Sequence, residues 1–90
     1  MAAIKIPTPL RIYTSGEAKV AVDGTTVGEA LNNLTDQYSE LRAHLFNDAE
    51  LRNFVNVFVG DEDIRFLEGL NTEIDERDEL RIIPSIAGGR

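Results

Sequence analysis

Ninety residues without a cysteine, at a formal net charge of −7, describe one domain around one core, with no disulfides, no thiolate nucleophile and no cysteine metal site. The acidic balance argues against nucleic acid and anionic membranes, which both require a positive footprint; it suits a basic protein partner, or serves solubility alone. No apolar run approaches the roughly 18 residues of a membrane span, and residues 1–5 lack a signal-peptide core, so a cytoplasmic protein is expected.

Ile4-Lys5-Ile6 alternates with period two, and the alternation resumes at Leu10-Arg11-Ile12-Tyr13 after Pro7-Thr8-Pro9. That pattern predicts a first strand suited to a sheet edge, because proline donates nothing to a ladder. Ser15-Gly16 reads as a turn. Residues 19–23 read as a second strand ended by Asp23-Gly24, so the first two strands should form a hairpin. Thr26 and Glu29 have the spacing of a capping box. The helix it predicts carries an apolar stripe of Val27, Ala30, Leu31, Leu34 and Tyr38, with Asn32, Asn33, Asp36 and Gln37 outward. A shorter helical segment is expected over residues 39–46, followed by a loop at Asn47-Asp48-Ala49.

Residues 54–59, Phe-Val-Asn-Val-Phe-Val, are β-branched and aromatic and predict the strongest strand of the chain. Gly60-Asp61 supplies a turn, residues 63–66 a returning strand, and Gly69-Leu70 a break. The charged turn Asp75-Glu76-Arg77-Asp78 leads into a last strand, Leu80-Arg81-Ile82-Ile83, closed by Pro84. Strand parity puts Val55, Val57, Val59, Leu80 and Ile82 toward the core and leaves Phe54, Asn56, Phe58, Arg81 and Ile83 on the other face. Either that face exposes an apolar strip to a partner, or the second helical segment covers Phe54 and Phe58. Strands at both ends around a central helix imply an α+β fold: a mixed sheet of about four or five strands with the main helix on one face.

No catalytic constellation is legible in the chain. His44, the single histidine, has no partner for acid–base work and reads as a solvated or capping residue. Asp61-Glu62-Asp63 lacks the glycine and distal glutamate of a calcium loop and reads as a solvated hairpin, so no metal site is expected. Gly24-Thr25-Thr26-Val27-Gly28 lacks the lysine of a phosphate loop. The end of the chain is different. Ala87-Gly88-Gly89-Arg90 follows a hydrophobic strand, and two glycines without a Cβ make a strip narrow enough to thread a tunnel. The expected division is a folded domain over residues 1–84 and a flexible tail over 85–90.

The element order, together with Ile6-Pro7-Thr8 and Leu10-Arg11, the 54–59 strand, Asp61-Glu62-Asp63-Ile64-Arg65-Phe66, and Ile83-Pro84-Ser85-Ile86-Ala87-Gly88-Gly89, resembles the β-grasp, ubiquitin-like sulfur carriers of the MoaD/ThiS family. The 61–66 stretch points to the CysO-type carriers of cysteine biosynthesis within it. The resemblance implies a protein co-substrate rather than an enzyme. A ubiquitin-activating-type adenylase would use ATP to adenylate the Gly89 carboxylate, sulfur would displace AMP to leave a thiocarboxylate, and a sulfur-acceptor enzyme such as a cysteine-synthase-like protein would consume it. Thiamine- or molybdopterin-type acceptors are equally compatible, and no bound cofactor is implied. The docking candidates are Phe54, Phe58, Arg81 and Ile83. The same tail could instead be conjugated to lysines, as a ubiquitin-like modifier, or be irrelevant to a non-covalent binding module.

Two departures from the family pattern stand out. Arg77 occupies a turn position where relatives commonly carry glycine, so the turn must take another shape or strain the residue. Arg90 follows Gly89, which implies trimming, as by a metalloprotease, before the tail is charged; an artificial end and a tolerant adenylase are the alternatives.

Overall fold

The computed structural model describes residues 2–47, 50–52 and 54–84. Ala2 and Ile4 point one side of β1 (Ala2–Lys5) into the core, and Ile6 continues the row. β2 (Lys19–Val22) returns antiparallel, setting Val20 opposite Ile4 and Val22 opposite Ala2. The predicted hairpin is therefore present, but β1 is not an edge strand. Its other side pairs in parallel with β7 (Glu79–Pro84), Ile4 opposite Leu80. The prolines permit this because they follow the strand rather than interrupt it. Residues Thr8–Tyr13 wind into a 3₁₀ helix with Pro9 in its first turn, where a missing N–H is no loss. The second run of alternation is thus helical, not extended.

α1 (Val27–Gln37) buries Val27, Ala30, Leu31 and Leu34 as the periodicity predicts, and Thr35 in addition. Tyr38 packs half-buried at its end. The Thr26 hydroxyl accepts from the Glu29 amide at 3.2 Å. The reciprocal arm is displaced by one residue, since Glu29 accepts from the Thr25 amide at 2.8 Å and the Thr25 hydroxyl at 3.0 Å. The flanking backbone is tied to residues 72–74: Val27 N–H donates to the Thr72 carbonyl, and Ile74 N–H donates to the Thr25 carbonyl. Gly28 faces a 3₁₀ turn, Gly69–Asn71, and a Cβ at Gly28 would stand 3.1 Å from the Leu70 carbonyl oxygen. That close approach gives the helical glycine its reason, against an intrinsic cost of about 0.5–1 kcal/mol relative to alanine.

The second helical segment is a 3₁₀ turn, Ser39–Leu41, running into α2 (Arg42–Leu45), and Leu41 and Leu45 drop fully into the core. Phe46 leaves the helix for β3 (Phe46–Asn47), which pairs with β4 (Glu50–Leu51) in a two-stranded hairpin. Asn47 therefore belongs to a short strand rather than a loop; Asp48 and Ala49 lie outside the described residues.

β5 (Val55–Val59) runs antiparallel to β7, with Val57 opposite Ile82 and Val59 opposite Leu80. The returning strand is much shorter than predicted: β6 is only Glu62–Asp63, and Ile64–Phe66 close into a 3₁₀ helix with Ile64 buried. The Asp63 carboxylate accepts from the Arg65 amide at 2.9 Å, a local bond that competes with the ladder and ends it. The sheet order is β2-β1-β7-β5-β6, mixed because only β1 and β7 run parallel. α1 and the shorter helical segments bury their apolar residues with one face of it in a common core.

Arg77 is accommodated by turn geometry. Asp78 N–H donates to the Asp75 carbonyl at 3.1 Å. The Asp75 carboxylate accepts from the Arg77 amide at 2.8 Å, and the Asp78 carboxylate from the Asp75 amide at 2.8 Å. Among the described residues Ser15 is the one non-glycine with positive φ, so this turn places no left-handed demand on Arg77.

Candidate functional site

The five strands present a second, outward face, and its geometry follows from register. Lys19 stands opposite Lys5, Lys5 opposite Arg81, Arg81 opposite Phe58, and Phe58 opposite Asp63. Paired residues project to the same side, so these five make one row across the whole sheet. At about 4.8 Å per strand the row is roughly 19 Å long. It begins basic on β2 and β1 and ends acidic on β6.

One step toward the C-terminal end of β7, Asn56 faces Ile83 and Val55 faces Pro84. Ile83 is 39% exposed, and Phe54, just before β5, is 43% exposed. The predicted parity holds for Val55, Val57, Leu80 and Ile82, which are buried, and for Phe54, Arg81 and Ile83, which are exposed; Val59, expected in the core, is half-buried against it, and Asn56 and Phe58, expected outward, are half-buried too. Cover by the second helical segment does not occur for Phe54. Leu41 and Leu45 tie that segment to the core on the opposite side of the sheet.

Charge on this face is organised rather than scattered. Glu79 takes Lys19 at 3.1 Å and Lys5 at 3.8 Å. Its carboxyl sits below the ordinary range chiefly because Lys19 donates a hydrogen bond to it, partial desolvation opposing and the charges of Lys5, Lys19 and Arg81 assisting. The Arg81 guanidinium leans the other way, to the Gly60 carbonyl at 3.3 Å and the Asp61 carboxylate at 3.4 Å.

Beside the C-terminal end of β7, Lys5, Pro7, Arg11, Arg81, Ile83 and Pro84 border a cleft of about 270 Å³. Arg11 is held there by its Nε, which donates to the Ile6 carbonyl at 3.0 Å. Apolar walls with three cations suit a partner surface that is apolar with anionic groups at its margin. Lys5 and Arg11 were not anticipated as part of the site. Only the parallel pairing of β1 with β7 brings them beside Arg81. Ala87, Gly88, Gly89 and Arg90 lie outside the described residues.

The His44 ring stacks on Tyr13, centroids 4.2 Å apart and planes at 28°. His44 is exposed, as expected of a solvated residue, and its stacking on Tyr13 also ties α2 to the Thr8–Tyr13 turn. Asp61, Glu62 and Asp63 line the β5–β6 turn, and no group of three potential metal ligands occurs among the described residues. None of the described helices is long and apolar enough to cross a membrane.

A five-stranded mixed sheet grasping one helix, with β7 leading toward a glycine pair, defines a ubiquitin-like β-grasp protein. Residues 4–89 match the ThiS family, and the chain belongs to it. It is 39% identical over 89 residues to sulfur carrier protein CysO of Mycobacterium tuberculosis, covering 96% of both chains. A CysO structure from the Amycolatopsis orientalis BexX/CysO complex superposes with a TM-score of 0.91 at 39% identity, covering 99% of this chain and 100% of the other. The small archaeal modifier protein 1 of Methanosarcina acetivorans superposes with a TM-score of 0.86 at 29% identity, over 98% and 95% of the two chains.

Proposed function

We infer that the chain is a sulfur carrier whose reacting group is the carboxylate of Gly89. A carboxylate resists nucleophiles because it is anionic and would have to expel oxide. Adenylation by ATP, with release of pyrophosphate, replaces that leaving group by AMP, a stable phosphate monoester. Attack by sulfide or an enzyme persulfide then forms the C–S bond and expels AMP; a persulfide adduct is cleaved by a reductant thiol to leave the thiocarboxylate. The chain supplies a docking face and a thin arm, and its partners supply activation and positioning. It acts as a co-substrate, not an enzyme.

The observation that carries this reading is the family match running through Gly88-Gly89, joined to near full-length similarity to CysO sulfur carriers. The partners that fit are an ATP-using adenylase of the ubiquitin-activating type and a sulfur-acceptor enzyme such as a cysteine-synthase-like protein, in the cytoplasm. Docking would use Ile83, Phe54 and Phe58, with Arg81 between the apolar strip and the acidic turn. Arg90 would be removed first, by a metalloprotease for instance, so that Gly89 becomes terminal.

A chain ending at Gly89, incubated with adenylase, ATP and sulfide, should gain the mass of one oxygen-to-sulfur exchange. No gain under conditions that charge a known carrier would refute the assignment. Conjugation to lysine is the second reading, favoured by the likeness to an archaeal modifier; Gly-Gly remnants on lysines of cellular proteins would mark it.

A further inference from the structure

Phe66 is 86% exposed, and it does not stand alone. With Phe58 it borders a cleft of about 390 Å³ at the β5–β6 edge, whose other walls are Asp61, Glu62 and Asp63. Isolated surface apolar residues need no explanation, but aromatic rings and carboxylates converging on one concavity are a recognisable chemical environment. An apolar occupant would strip water from the acids without replacing it. An anion would be repelled. A cation can lie against an aromatic ring and pair with a carboxylate at once, and a guanidinium does this best, being planar, weakly hydrated and able to bind carboxylate through two N–H groups.

We propose that this cleft receives an arginine side chain of the protein that docks on the outward face, and so sets that protein's orientation. The location within the charged row supports this. Lys19, Lys5 and Arg81 occupy one side of the sheet and Asp63 the other, so a partner approaching the wrong way round would set cation against cation at β1–β2 and leave the acidic edge unpaired. Asp61 is turned toward Arg81 at 3.4 Å and one Asp63 carboxylate oxygen accepts from the Arg65 amide at 2.9 Å, so Glu62 and the other Asp63 oxygen are the acceptors of this cleft for an incoming guanidinium. The idea of an orienting partner rests on the carrier reading; the arginine cleft itself does not.

The test is an amide-shift titration of the isotope-labelled full chain with a blocked peptide of alternating arginine and alanine, beside versions carrying lysine or the neutral isostere citrulline. Shifts should saturate and concentrate at residues 58–66, with arginine binding tightest and citrulline weakest. Phe66→Ala should weaken the arginine peptide roughly two- to five-fold, the range of a cation–aromatic contact near the surface. Because Phe66 is so exposed, the variant keeps its fold, and an unchanged spectrum elsewhere checks that. Shifts spread equally over other acids such as Glu29, Asp36 and Glu40, or equal binding by Phe66→Ala, would overturn the proposal. In adenylation assays Phe66→Ala and Glu62→Lys should raise KM for the carrier with kcat unchanged. If the wild-type chain is never adenylated, the carrier reading fails instead, and the titration still decides the cleft.

Discussion

Arg81 stands directly opposite Phe58 across the β5–β7 ladder, on the sheet's outward face. Its guanidinium, bonded to the Gly60 carbonyl and Asp61, joins the basic half of that face to the acidic edge, while Ile83 on the same strand extends the apolar strip toward the tail.

Ile83→Asp should weaken binding to the activating partner while leaving the fold intact. The residue is 39% exposed and faces out, and a central apolar anchor can contribute about 2 kcal/mol or more to an interface. Calorimetric titration with the adenylase, beside a thermal melt of the variant alone, separates the two effects. Unchanged affinity would remove Ile83 from the docking face.

Its neighbour on the same strand should behave in the opposite way. Ile82 is 2% exposed and sits opposite Val57 in the core, so Ile82→Ala should cost about 2–5 kcal/mol of stability. Denaturant unfolding measures it. A loss below about 1 kcal/mol would mean that the inward face is looser than its burial implies.

The capping arrangement of α1 predicts a smaller effect. Thr26→Ala removes the acceptor for the Glu29 amide and should cost about 1 kcal/mol, the usual value of an N-cap. Glu29→Gln should cost less, since its oxygen can still accept from Thr25. Equal losses would show that the charge of Glu29 contributes as much as the cap.

Glu79 and Glu29 both have carboxyls held below the ordinary value of 4.5, by a hydrogen bond from Lys19 and by the Thr25 amide respectively. A depressed folded-state pKa contributes stability above the unfolded value and loses it as pH falls through the folded one. Melting temperature should therefore fall below about pH 4.5, and Glu79→Gln should flatten part of that fall. Added salt should shrink the Glu79 contribution, because the pair is exposed. A variant curve parallel to wild type throughout would exclude the Glu79 pairing as a source of acid sensitivity.

Deleting residues 88–90 should abolish thiocarboxylate formation and leave the melting temperature unchanged, because the β5–β7 register ends with Val55 opposite Pro84. Retaining Arg90 should slow charging as well. One residue moves the carboxylate about 3.8 Å along the chain and adds a permanent charge, and misplacement of that size can cost about a hundredfold in rate. Mass spectrometry of chains ending at Gly89 and at Arg90 makes the comparison; equal charging with Arg90 still attached would show that no trimming is needed.

The sequence by itself determined which side of each element is apolar. Val55-Asn56-Val57 and Leu80-Arg81-Ile82 alternate, and Val27, Ala30, Leu31 and Leu34 recur at helical spacing, because burial rewards any residue whose side chain points inward and leaves a periodic trace. The Thr26 cap and the Asp75–Asp78 turn were readable for the same reason, being made of residues three apart. Tertiary structure decided how the elements adjoin. Nothing local in Ile4-Lys5 says that β7 will pair with it in parallel, and that pairing is what makes β1 central and gathers Lys5 and Arg11 beside Arg81. Nor could residues 61–66 reveal that Asp63 would cap a 3₁₀ turn, ending β6 after two residues and leaving Phe66 beside Phe58. Periodicity records only whether a side chain faces in or out, whereas a docking face is composed of side chains from distant strands, whose meeting is set by the packing of the whole core.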